Sequence, residues 1–301
     1  MTTPPSSHRA LSYGFLAMAT LIWGAAPAFI RSLGLALGPA ESVAIRTLLV
    51  AVISLPLLLR FGGPAFDRAD WPRLLVCSII GSFGYYLGSI YGYARMPAGM
   101  GSIIMATSPL LIALLSALAG QERLTPATLA GLALSFGGTV LLFSGGEAPS
   151  GVSRYNIITG GLMIFARAPP RSLYVGAGPP PLPKNGALKY MAAASLLSVV
   201  PALPFLSANT VPTLLHLSLR NVLELLYLGV LGTVVSVSAW NYAAARLAPS
   251  TVGATLYLLP LMAIAAGALV LGEAVTARVI AAAAIVLAGV ALSQWGKYRR
   301  A

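Results

Sequence analysis

Residues 107–125 read TSPLLIALLSALAGQERLT, and residues 258–276 read LLPLMAIAAGALVLGEAVT. Each is an apolar run with a proline near its start, Pro109 or Pro260, and an acid at its end, Glu122 or Glu273. The two copies lie 151 residues apart. At the same offset Gly81 falls on Gly232, Tyr91 on Tyr242, Arg95 on Arg246, Leu110 on Leu261 and Gly138 on Gly289. Leu/Ala-rich runs match one another easily, but proline, glutamate, arginine and tyrosine do not coincide in one ungapped register by composition alone. The spacing predicts a duplicated chain, with halves at 1–147 and 152–301.

Composition sets the solvent. The chain has 301 residues, 57% hydrophobic and only 9% charged, and its mean hydropathy is +0.84. Soluble domains carry about 25% charged residues, so this chain is expected to lie in lipid. The formal net charge is +12, but Lys and Arg stand singly between apolar runs instead of forming an aromatic-laced basic patch, which argues against nucleic acid. The single cysteine, Cys77, permits no internal disulfide and no thiolate metal cluster. His8 and His216 fall outside the apolar runs and no pair of acids lies within them, so there is little from which to build an enzyme. No metal or cofactor is expected.

At ~20 apolar residues per crossing, spans fall near 11–31, 41–59, 73–93, 98–119, 125–143, 156–178, 186–206, 222–245, 249–271 and 275–295. The first is read as an uncleaved transmembrane helix rather than a signal peptide. With both termini inside, about 11 basic residues lie on the inner side and about 5, among them Arg31, Arg95 and Arg220, on the outer. Five spans per half force the second half to enter the membrane in the opposite sense. The expected fold is an all-α integral membrane protein of ten transmembrane helices, built as two inverted five-helix repeats. That architecture recurs in secondary transporters, with the substrate at the repeat interface and alternating access by rocking of the halves. Pro109 and Pro260 are expected to kink helices near the midplane and shape gates. Glu122 and Glu273, each shortly before a threonine, are expected to cap helix N-termini.

Span three carries Ser78, Ser82, Tyr85, Tyr86, Ser89 and Tyr93 on an arc of roughly 100°. Hydroxyls facing lipid are costly, so this stripe is expected to point inward, as a pathway lining or as interhelical hydrogen bonds; Tyr91 and Tyr93 alternatively serve as interfacial anchors. Span eight offers Thr233, Ser236 and Trp240, with Asn241 adjacent, and Trp23 and Tyr257 complete the candidate cavity. Aromatic walls with few charges suit a substrate with an apolar or aromatic side chain and an α-ammonium group. No carboxylate lies mid-membrane, which favours a facilitator or exchanger over proton coupling. Arg46, a turn and a half into span two, could pair with Glu41, snorkel to the interface or meet a substrate carboxylate.

Three stretches carry a family resemblance: LIWGAAPAFIRSL (residues 21–33), AIRTLLVAVISLPLLL (44–59) and YGYARMPAGMGSIIMATSPLLIALLSALAGQERLTPATLAGLALSFGGTVLLF (91–143). The chain resembles EamA-type transporters of the drug/metabolite transporter superfamily, most of all bacterial aromatic amino acid exporters of the YddG type. The resemblance implies export of small neutral metabolites, aromatic and other apolar amino acids first, across a bacterial inner membrane. Another metabolite or drug on the same fold is the alternative. The expected partners are the substrate and the lipid bilayer; oligomeric state is left open, a monomer being sufficient. Residues 166–184, ARAPPRSLYVGAGPPPLPK, fit a plain helix poorly. A broken helix in which Arg171 meets a carboxylate and a locally altered reading frame both remain open there, and no site residue is assigned to it.

Overall fold

The computed structural model describes residues 6–60, 66–108, 110, 114, 117, 125–144, 152–166, 187–247 and 249–298. Pro109, Glu122, Arg171 and the greater part of 166–184 lie outside the described residues. Those described form helices and turns, with no strand among them.

Six helices are long and apolar enough to cross a membrane: Ala10–Ala36, Pro39–Arg60, Leu74–Arg95, Pro126–Phe143, Leu219–Ala244 and Thr251–Leu271. Two shorter apolar helices are Lys189–Phe205 and Ala277–Ser293. Their outer surfaces are apolar, with Leu269 87% and Val52 69% exposed. Such surfaces are stable only against hydrocarbon.

The first helix, α1 (Ser6–Ala36), is followed by α2 (Pro39–Arg60), which has Glu41 in its first turn and Arg60 in its last, matching the helix dipole. The third span joins α3 (Trp71–Val76) and α4 (Tyr85–Arg95) through a π-helical stretch at Cys77–Gly84. Next come α5 (Ala98–Ala106), α6 (Pro126–Phe143) and α7 (Arg154–Phe165). Thr125 caps α6 by accepting the Thr128 N–H at 3.0 Å. The remaining long elements start with α8 (Ala187–Leu197) and α9 (Leu219–Leu226), then a second π-helical stretch at Tyr227–Val235 leads into α10 (Ser236–Ala244). After α11 (Pro249–Thr255), a 3₁₀ turn at Leu256–Leu258 leads into α12 (Leu259–Leu271), with Pro260 buried in its first turn. Proline donates no N–H, so it starts α12 and breaks the axis there. Gly272, at φ 65°, ends α12 in the left-handed conformation. The last helix is α13 (Ala277–Tyr298).

α1 is central, packing on α4, α10 and α12, while α2 packs on α8 and α4 on α7. The closest seam joins α6 to α13. Any Cβ at Gly131 would collide with the Gly289 carbonyl, and one at Gly289 with Ser135. Glycine lets the backbones meet, as at small-residue seams of membrane helices. Gly131 faces Gly289 and Ser293 whereas Gly138 faces Ala282, Ile285 and Val286, so the two helices run antiparallel. Ser135 donates to the Val286 carbonyl at 3.1 Å. These partners are themselves 151 residues apart. The two π-helical stretches keep that same offset to within one residue.

Candidate functional site

Four of the expected site residues, Trp23, Tyr85, Tyr86 and Trp240, gather where α1, α2, α4 and the second π-helical stretch meet. A π-helical turn leaves its backbone carbonyls out of α-helical register and recurs at functional sites. Here the Gly232 carbonyl accepts the Trp23 Nε1–H at 3.0 Å, and Thr233 donates to the Leu228 carbonyl at 3.0 Å. The freed backbone is thus answered by side chains, as a membrane interior demands. Trp23 also lies against Trp240, with ring centroids 5.1 Å apart and planes tilted by 44°.

Tyr86 borders the same junction, with Thr233 within hydrogen-bond reach of its hydroxyl. Tyr85 meets it edge-on at 5.7 Å. The Arg46 guanidinium covers the Tyr86 ring, 3.6 Å from its centroid. Arg46 is 5% exposed and its Nε has no hydrogen-bond partner. Glu41 does not pair with it: its carboxylate accepts from the Ser207 hydroxyl and from Thr210 at 2.7 Å.

Other residues of the predicted stripe sit elsewhere. Ser78 is fully buried; its hydroxyl donates to the Leu74 carbonyl at 2.6 Å, and its own carbonyl accepts from Ser198. Ser89, also fully buried, donates to the Tyr85 carbonyl at 2.6 Å. Both hydroxyls donate to a carbonyl one turn back in their own helix. Tyr93 is buried against α5, its hydroxyl 3.4 Å from Ser102. Ser82 is half-buried, Asn241 is exposed beside Trp240, and Tyr257 packs on the main apolar core. The structure therefore brings Trp23, Trp240, Tyr85 and Tyr86 to the junction, and keeps Ser78, Ser89 and Tyr93 in packing contacts.

A second cluster ties the bundle together where α1 ends, and it holds Arg31 and Arg220, two of the basic residues of the expected outer side. Arg31 pairs through Nε with Glu273 Oε1 at 2.9 Å. Its Nη1 donates to the carbonyls of Tyr93, at 2.9 Å, and Met96. Glu273 also accepts the Ala98 N–H, at 2.9 and 3.0 Å to its two oxygens. The acid thus caps a helix N-terminus, but that of α5 rather than of α13, the next helix in sequence. Burial pushes the Glu273 carboxyl above its ordinary value, against the opposing pull of the Ala98 N–H, Arg31 and the Gly99 N–H. Beside it, Glu224, 3% exposed, accepts from Ser32 at 2.7 Å and from Arg220 at 3.0 Å. Arg220 reaches the Val270 carbonyl at 3.2 Å. Four chain segments are thereby tied together. The signal in sequence was an arginine eight residues past Trp23 with apolar residues on both sides.

The model of the EamA-like transporter family matches residues 10–144 and 183–295. The chain belongs to that family, a branch of the drug/metabolite transporter superfamily, and is a membrane transporter rather than an enzyme. It is 29% identical over 283 residues to a probable terminal-alkyne amino-acid exporter of Streptantibioticus cattleyicolor, covering 92% of this chain and 91% of that one. Over 151 residues, 48% of each chain, it is 32% identical to the aromatic amino acid exporter YddG of Ancylobacter novellus. A probable amino-acid metabolite efflux pump of Salmonella typhimurium is 25% identical over 215 residues, covering 67% of this chain and 69% of that one. A solved crystal structure, 22% identical, superimposes with a TM-score of 0.60 over 98% of this chain and 99% of its own.

Proposed function

We propose that this chain exports amino acids with apolar or aromatic side chains from the bacterial cytoplasm by alternating access. The observation that carries the reading is the Trp23–Trp240 pair held on the Gly232 carbonyl beside Tyr86. Such a junction offers stacking area and cation–π contact to an α-ammonium group. The similarity to amino-acid exporters and to an amino-acid metabolite efflux pump supports the substrate class.

Two inverted five-helix halves, 1–147 and 152–301, are the architecture we infer behind the ten expected spans. Supporting this, repeat-related helices α6 and α13 run antiparallel with Ser135 opposite its mate Val286. A two-fold axis across the helices through that pair would relate the halves. Repeat mates also act alike: Arg95 donates to the Tyr91 carbonyl and Arg246 to that of Tyr242, each guanidinium over the tyrosine ring. Both termini are placed in the cytoplasm by the distribution of basic residues, so the Arg31–Glu273 cluster is the outer gate, here closed. Pro260, at the other end of α12 from this cluster, is assigned the bend that shapes the gate, and Pro109 the corresponding role.

Reconstituted protein should take up labelled phenylalanine or tryptophan saturably and show counterflow. Linear, non-saturating flux, or no competition by any aromatic amino acid, would sink the reading. Facilitated diffusion or exchange is the proposed mode. A second mode, proton coupling, is favoured by the buried Glu224 Oε2, which lacks a hydrogen-bond partner. Uptake driven by an imposed pH gradient, and lost in Glu224→Gln, would select it.

A further inference from the structure

An arginine inside a membrane bundle needs a reason. A guanidinium taken out of water loses several kcal/mol of hydration unless a counter-charge and hydrogen bonds replace it. Arg46 lies seven residues into α2, about 10 Å from the helix start, and is packed inside the bundle, 5% exposed. Its guanidinium carbon lies 3.6 Å from the centroid of the Tyr86 ring, and the two side chains also share a hydrogen bond. These contacts offset part of the cost but supply no negative charge. Nε is buried with no partner.

No described acid pairs with it. Glu41 is engaged by Ser207 and Thr210, Glu224 by Ser32 and Arg220, and Glu273 by Arg31 and the Ala98 N–H. The other buried arginine with described contacts, Arg31, has a carboxylate and two carbonyls. Arg46 thus differs from it in one respect: its counter-charge is missing among the described residues. The place it occupies is continuous with the candidate site, since Tyr86 reaches Thr233 and the next residue back, Gly232, holds Trp23 against Trp240.

We propose that Arg46 is the anchor for the carboxylate of the transported molecule. A planar guanidinium stacked on one face presents its edge for a two-point hydrogen bond to a carboxylate, a geometry that a flexible ammonium cannot reproduce. The anchored molecule then directs its apolar side chain toward Trp23 and Trp240. This deepens the amino-acid reading above and rests on it. It adds a selection rule: amines, amides and cationic drugs of the same shape are rejected because they leave the arginine uncompensated.

The test is ligand-induced thermal stabilisation of the purified full-length chain in detergent. Four probes share one ring: phenylalanine, phenylalaninamide, 2-phenylethylamine and 3-phenylpropionate. Wild type is expected to bind the amide and the amine at least about tenfold more weakly than phenylalanine. Arg46→Gln should lose at least about tenfold in phenylalanine affinity, and Arg46→Lys should recover part of it. Amide or amine binding equal to that of phenylalanine overturns the anchor, and that comparison needs wild type alone should Arg46→Gln fail to fold. Unchanged phenylalanine affinity in a folded Arg46→Gln overturns it while the amino-acid reading stands. Arg46-dependent binding of 3-phenylpropionate without binding of any amino acid keeps the anchor and rejects the amino-acid reading. Binding of none of the four rejects both.

Discussion

Neutralising the two partners of the Arg31–Glu273 pair should have unequal consequences. Arg31, 6% exposed, serves three acceptors: the Tyr93 carbonyl, the Met96 carbonyl and Glu273. Arg31→Gln removes all three contacts and leaves a buried carboxylate without its cation, a change that costs about 3–5 kcal/mol. Glu273→Gln keeps an oxygen for the Ala98 N–H and leaves Arg31 its two carbonyls. Burial has already raised the Glu273 carboxyl above 4.5 despite Arg31, so the fold favours the neutral form of this group. The Gln variant mimics that form and should cost less than about 1.5 kcal/mol. At about 2–4 °C per kcal/mol, Arg31→Gln should lower the Tm in detergent by at least about 6 °C, and Glu273→Gln by about 6 °C at most. A Glu273→Gln loss equal to or larger than that of Arg31→Gln would refute the reasoning. The pH dependence has a definite sign. A raised carboxyl pKa stabilises most below the ordinary value of 4.5, and that contribution is lost as pH rises through the raised value. Acidification toward 4.5 should therefore raise the wild-type Tm relative to Glu273→Gln, and the opposite slope would contradict the assignment.

Other perturbations read other parts of the structure. Gly289→Val drives a branched side chain into Ser135 and the Gly131 carbonyl; a loss of about 1–3 kcal/mol is expected in thermal unfolding, and a stable variant would mean that α6 and α13 are not in contact. Trp23→Phe keeps a ring on Trp240 but loses the bond to Gly232. Proteoliposome uptake should fall about two- to fivefold in that variant and tenfold or more in Trp23→Ala, so equal rates would remove Trp23 from the pathway. Ser89→Ala should transport within about twofold of wild type, because its buried hydroxyl donates to the Tyr85 carbonyl of its own helix; a tenfold loss would return Ser89 to the lining.

Much of the architecture could be read before any coordinates. Mean hydropathy and the scarcity of charge identify lipid as the solvent, and ~20-residue apolar runs then have to be helices, since lipid leaves no other partner for their backbone groups. The 151-residue register was visible from Pro260, Glu273 and Gly289, and the Ser135–Val286 contact and the two π-helical stretches keep to it. The stripe of span three was legible as a polar face but not as a set of separate duties. Helical periodicity assumes 100° per residue, and the π-helical turn at Cys77–Gly84 breaks that assumption in mid-stripe. Ser78 and Ser89 therefore serve their own helix, while Tyr85 and Tyr86 stand at the junction.

Charge was the least legible feature. Arg31, Arg46 and Arg220 look alike in sequence: each stands singly beside an apolar run. Their fates differ because an arginine's energy in a membrane protein depends on which distant groups surround it, not on its neighbours along the chain. Arg31 finds an acid 242 positions away and two carbonyls of another segment, Arg220 shares Glu224 with Ser32, and Arg46 meets the ring and a hydrogen bond of Tyr86 but no acid among the described residues. Hydropathy and spacing, which are sums over local residues, thus point to the solvent, the helices and the duplication. Pairing and desolvation are properties of three-dimensional proximity, and only the packed helices pair Arg31 with a distant acid while Arg46 meets Tyr86 and no described acid.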